Sequence, residues 1–402
     1  MKTSILKIAP LAAALTLAWG SASALEFHGY LRAGGGSSGK DGSQACFQLP
    51  GAYSKYRLGN ECESYGELAF DHEVFEGKNG VKFNYHGRLA VITGQKQDFE
   101  TLDNTDNNQI ASREQWFEAK GLPFMNGASV WGGKRFYDRQ DVHITDFYYW
   151  DTSGYGIGVE DLPVGNFKFS YALLRNGNGT DSATTRHDFR LKGIKIGDAG
   201  DLTVGLQLNQ AGNDAAGKDN NGTALTLQHF KGGVFGGFTK TALMYGRGSA
   251  NSLSLAYPDN SAGSDKKTLR IVHQTQAQFS PEWSGMVTAV YQNQKDNYKW
   301  ISAGVRPVYH LTDNVKIQAE LGFDQVKPNN DSTRTLTKFT IAPTLVAGRG
   351  FWARPELRVF YTYAKWNDAA RDGWGGVAGG TSGQFGSDTN GHTIGFQVEG
   401  WW

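Results

Sequence analysis

Residues 134–151 read KRFYDRQDVHITDFYYWD, a segment in which arginines and aspartates alternate with six aromatic rings. Two kinds of chemistry use such a set. Paired carboxylates, with Asp146 and Asp151 as candidates by type, could act as general acid and base if one of them were held protonated. Nothing in the sequence marks a pocket that would perturb such an acid. The other chemistry is binding at a wet surface. A core segment would avoid unpaired ions, and an ordinary exposed loop would not carry so many large rings. The elements around the segment must decide which surface wants both.

The chain opens with MKTSILKIAPLAAALTLAWGSASA, where Lys2 and Lys7 precede a short apolar run that ends in small residues. That is the pattern of a secretory signal peptide, so residues 1–24 are expected to be removed and residues 25–402 to form one domain of an exported protein. The whole chain carries 40 basic and 39 acidic side chains. So even a balance gives no electrostatic case for nucleic acid. Cys46 and Cys62 are the two cysteines, and in an exported chain they are expected to form a disulfide that closes one loop. No cofactor and no metal is called for.

Glycine is abundant, with 53 residues, beside 23 phenylalanines, 17 tyrosines and 11 tryptophans. Beyond the leader no apolar run is long enough for a spanning helix. Period-two runs are frequent. The closing HTIGFQVEGWW places Ile394, Phe396, Val398 and Trp402 on one face and Thr393, Gln397, Glu399 and Trp401 on the other. VKIQAELGF and KFNYHGRLA divide in the same way. Gly-, Asn-, Asp- and Ser-rich connections at 95–110, 211–223, 246–266, 326–333 and 367–391 alternate with short ones. A soluble sandwich, jelly roll or propeller also alternates. Charged polar faces opposite aromatic-rich faces, and an aromatic chain end, favour an all-β transmembrane antiparallel barrel in the bacterial outer membrane. The length holds roughly sixteen to eighteen strands.

Parity also places rings among charges. Tyr30 shares a face with Glu26, His28 and Arg32; Tyr65 shares one with Glu67 and Asp71. Trp352 has the parity of Arg354, Glu356 and Arg358, and Trp401 that of Glu399. A general water-filled pore gains nothing from such rings. A pore for sugars does, because the C–H face of a pyranose lies on an aromatic face while its hydroxyls exchange hydrogen bonds with flanking ions. Binding must be favourable yet easily left, and a row of similar sites supplies that.

FHGY (27–30), SKYRLGNECESY (54–65), GKRFYDRQDVHITDFYYWD (133–151), RPVY (306–309), RPELRVFYTYAKW (354–366) and the final WW are long, specific motifs, and through them residues 25–402 resemble the maltoporins. The resemblance implies a homotrimer of barrels with about eighteen strands, embedded in outer-membrane lipid, with a constriction loop folded inward. It implies passive diffusion of maltose and maltodextrins rather than catalysis. The family's aromatic slide would fall on Tyr30, Tyr65, Phe238, Trp352 and Trp401, with Phe99 supplied by a neighbouring subunit. Maltoporins typically carry Trp at that last position, where this chain reads QDFE. The polar track would fall on Arg32, Arg57, Glu67, Arg113, Arg139, Asp146 and Asp151, with Tyr148 narrowing the bore. A first-loop disulfide in the family matches Cys46 and Cys62. The competing expectations are a sucrose or β-glucoside porin, a general porin with incidental rings, and a secreted glycoside hydrolase.

Overall fold

Alternation becomes architecture along β19 (Glu356–Trp366). Glu356, Arg358 and Thr362 are buried, while Leu357, Val359, Tyr361 and Tyr363 point outward and are exposed. Successive side chains of a strand leave opposite faces, so one run can serve lipid and lumen together. The structure, a computed structural model, describes residues 24–95, 100–102, 108–176, 183–212 and 220–402. Most of the leader expected at 1–24, and Phe99, lie outside the described residues.

Among the described residues, eighteen antiparallel strands form one sheet, each paired with its neighbours in chain order. β1 (Glu26–Ser38) pairs with β2 (Ser64–Glu76) on one side and with the last strand, β20 (Asn390–Trp401), on the other. That pairing closes the wall and leaves no open edge, which a structure in hydrocarbon cannot tolerate. The outer face carries Leu243, Ile271, Ile301, Phe339, Ile341, Ile394 and Phe396, all exposed. No helix among the described residues is long and apolar enough to cross a membrane. Connections such as 165–166, 235–236 and 311–314 are short at one end; 39–63, 136–153, 249–266 and 367–389 are long at the other. Only 329–333 separates β17 (Val315–Pro328) from β18 (Arg334–Val346), because both strands run further than the Asn- and Asp-rich composition implies.

Two long connections fold into the lumen. The 39–63 segment is closed by the Cys46–Cys62 disulfide, as expected. It docks through Tyr56, whose ring fills a slot made by a cross-strand glycine pair: a Cβ at Gly304 or Gly322 would stand 2.1 or 2.3 Å from the ring. The Tyr56 hydroxyl lies 2.8 Å from Ser302 Oγ, and Leu58 N–H donates to Glu320 Oε1 at 3.0 Å. The 136–153 segment contains the remaining two strands, β6 (Gln140–Val142) and β7 (Phe147–Trp150), paired as a small hairpin. Trp150 seats on the wall at Gly205, where a Cβ would stand 2.3 Å from the indole. Wall side chains hold its backbone: Arg186 on Thr152 O at 2.9 Å, Arg190 on Asp138 O at 2.9 Å and Gln274 on Asp141 O at 2.7 Å.

These segments change the interior. Met244, Val272, Met286, Trp300, Phe360 and Trp366 are buried inside the barrel, although alternation alone assigns the lumen to polar residues. They pack on the inward-folded chain, which brings its own apolar side chains Phe47, Leu49, Leu58 and Ile144.

Candidate functional site

The two inward segments meet at their tips. Lys55 N–H donates to Thr145 O at 3.1 Å and Arg57 N–H to Ile144 O at 2.9 Å. Asp146, with a left-handed φ of 53°, turns its carboxylate to Lys55 Nζ at 2.9 Å and to Arg32 Nη1 at 3.5 Å. Glu61, next to the disulfide, receives Arg32 at 2.8 Å and Arg57 Nε at 3.1 Å. Burial alone would push both carboxyls up. Arg57, joined by Arg32 and Lys55, outweighs burial and holds Glu61 and Asp146 below the usual carboxylate range.

A cavity of about 400 Å³ opens against this clasp. Tyr30, Tyr65 and Trp401 line it from the wall, with Arg32, Glu67 and Arg113. Arg57, Arg139, Asp146 and Tyr148 line it from the inward segments. Within β7, Phe147, Tyr149 and Trp150 are buried, and Tyr148 alone is exposed, with the Arg139 guanidinium 4.4 Å above its ring. Arg113, shared with this space, also lines a second cavity of about 620 Å³ with Lys134, Phe136 and Asp151. Asp151 therefore belongs to that neighbouring space rather than to the constriction.

The rings follow adjacent strands. Tyr65 on β2 and Tyr30 on β1 have centroids 6.2 Å apart, and Tyr30 is the register partner of Trp401 on β20. Trp352 lies in the turn before β19, not on a strand, so its parity with Arg354 is not strand alternation. Its ring nevertheless reaches the same surface through His143, which stands 5.0 Å from Trp352 and 6.1 Å from Trp401. Phe238, on β13 (Gly237–Gly248), shares a face with Lys240 and stacks on Phe230 at 5.9 Å; it does not line the constriction. Donors and acceptors flank the rings. The Tyr30 hydroxyl donates to Glu399 Oε1 at 3.0 Å, Arg354 lies 4.3 Å above Trp401, and Arg32 lies 5.1 Å above Tyr65.

His143 and Asp141 also line the cavity, and the sequence reading passed over both. They lie inside the opening stretch, but a loop offers no parity from which to read direction. Burial, reinforced by Arg57, keeps the His143 imidazole well below its ordinary range, so it stands neutral between indoles. Burial lifts the Asp141 carboxyl despite Lys240. The surface as a whole offers flat apolar faces bordered by fixed charges and hydroxyls, suited to a ligand with the same two aspects.

The fold is shared with solved outer-membrane proteins of low sequence identity. OccAB1 of Acinetobacter baumannii aligns with a TM-score of 0.54 and 10% identity over 96% of this chain and 98% of its own. OpdQ of Pseudomonas aeruginosa gives 0.52 and 8% over 94% and 99%, and an anion-selective porin from Comamonas acidovorans gives 0.51 and 10% over 94% and 99%. A family model described as LamB porin matches residues 25–402. Closed wall, inward loops and family match agree: the chain belongs to the LamB porin family and is an outer-membrane porin channel.

Proposed function

We propose that this porin passes maltose and maltodextrins by facilitated diffusion along Trp352, Trp401, Tyr30 and Tyr65, with Arg32, Arg57, Glu67, Arg113, Arg139, Asp146 and Asp151 as the polar track and Tyr148 as the narrowest point. Phe238 prolongs the row toward the short-turn end, and Phe99 of a neighbouring copy in a homotrimer extends it at the other. The supporting observation is the placement of rings on adjoining elements: β2, β1, β20 and the turn before β19. A linear glucan presents alternating apolar ring faces and hydroxyls, so each step exchanges one stacking contact and a few hydrogen bonds for equivalent ones.

Liposome swelling tests the selectivity. Maltotriose should enter much faster than a non-glucan trisaccharide of similar bulk. Equal rates would mean a general porin, and faster entry of sucrose or a β-glucoside than of maltose would move the assignment to those sugars.

A further inference from the structure

Away from the constriction, the strand register builds a lateral row on the inner face at the short-turn end. Glu26 of β1 pairs with Asp71 of β2, Asp71 with His86 of β3 (Lys82–Thr93), and His86 with Trp116 of β4 (Gln109–Lys120). Two carboxylates directly opposite on neighbouring strands repel. Among the described residues, neither Glu26 nor Asp71 meets a lysine or arginine within ion-pair distance; their ion-pair partners there are His28 and His86.

His28 reaches into the gap. Its Nε2 lies 3.6 Å from Glu26 Oε2 and 3.7 Å from Asp71 Oδ2, too far to hydrogen-bond either. One donor atom from each of the three residues falls within 4.8 Å of the others. Ligands about 2.0–2.2 Å from a tetrahedral zinc ion stand roughly 3.4 Å apart, close to the two spacings from His28 to the carboxylates. The Asp71 carboxylate is also oriented from behind: its Oδ1 lies 2.6 Å from His86 Nδ1. The His86 ring is itself fixed flat on Trp116, with centroids 3.9 Å apart and planes 13° apart. An adjoining cavity of about 390 Å³ leaves room for water at a remaining position.

We propose that Glu26, His28 and Asp71 form a binding site for a zinc-class divalent cation, with His86 as a positioning residue. One imidazole and two carboxylates suit zinc; calcium and magnesium prefer oxygen alone. His28 is two residues from Tyr30, about 7 Å along the strand. The ion would place a double positive charge beside the short-turn end of the lumen and relieve the repulsion between Glu26 and Asp71.

Folded mature protein in detergent, stripped with EDTA, should be titrated calorimetrically with zinc chloride and separately with calcium chloride. The expected result is one zinc per chain, bound at least tenfold more tightly than calcium. His28→Ala and Asp71→Asn should each weaken it tenfold or more, and the double variant should abolish it. His86→Ala should weaken it by about ten- to a hundredfold without changing stoichiometry. Heat-modifiable gel mobility reports that each variant is folded. Zinc binding by the folded double variant equal to the parent, no single-site binding in the parent, or calcium bound as tightly as zinc would each overturn the assignment. The readout needs no sugar, so it stands apart from the maltodextrin reading.

Discussion

Lys55 Nζ, on the first inward segment, lies 2.9 Å from the carboxylate of Asp146 on the second. With the two backbone hydrogen bonds beside it, this contact fixes the tip of the constriction hairpin against a loop that is itself closed by a disulfide. Asp146→Asn removes the charge and leaves Lys55 with Glu61 at 3.3 Å. A hydrogen bond to a charged group contributes about 1.5–3 kcal/mol. The variant should therefore show noisier open-channel current in a planar bilayer with little change in barrel stability. Current as quiet as the parent's would mean that the backbone contacts suffice.

Acid should act on the same clasp. Glu61 and Asp146 are held below their ordinary range, so each stabilises the folded clasp above the unfolded value of about 4 and loses that contribution as pH falls through its folded value. His143, held low, acts in the same direction because charging it in place is unfavourable. Asp141, held high, partly opposes them. Limited proteolysis of the inward segments should begin to increase as pH falls below about 6.5, where the unfolded imidazole takes up its proton and His143 in place does not, and should increase further below about 4 as the carboxylates follow. Greater protection at the lower pH would reverse the sign assigned here.

Gly322→Ala puts a methyl group 2.3 Å from the Tyr56 ring. Overpacking of this kind costs typically about 1–3 kcal/mol. Lower thermal stability is expected, and Tyr56→Leu added to Gly322→Ala should recover part of it, since the two residues share one slot. Strictly additive losses would show that the glycine pair has another role.

The barrel was legible in the sequence because lipid and lumen impose opposite demands on consecutive residues. Runs such as ELRVFYTY record both demands at every step. Tyr30, Tyr65 and Trp401 were legible for that reason, each sharing a face with charged neighbours. Trp352 reached its position by a different route, from a turn, where parity has no meaning. His143 and Asp141 escaped notice because they ride on a loop whose direction is set by distant wall residues such as Arg190 and Gln274. The buried rows around Met244, Trp300 and Phe360 were hidden for a related cause: nothing local records that a remote loop will cover them.

Tyr148 is the exposed side chain of β7, while its neighbours anchor the hairpin. Tyr148→Ala should widen the bore without releasing the loop, and a severalfold rise in single-channel conductance is expected with an unchanged melting temperature. Unaltered conductance would place the narrowest point elsewhere.

The aromatic row is tested most directly by block of ion current with maltohexaose in a planar bilayer, comparing the parent with Trp401→Ala. Stacking on one ring contributes on the order of 1–1.5 kcal/mol, so the variant should require about five- to tenfold more sugar for half-block. Its conductance without sugar should stay close to the parent's. Half-block at the same maltohexaose concentration in both proteins would contradict the role of the rings.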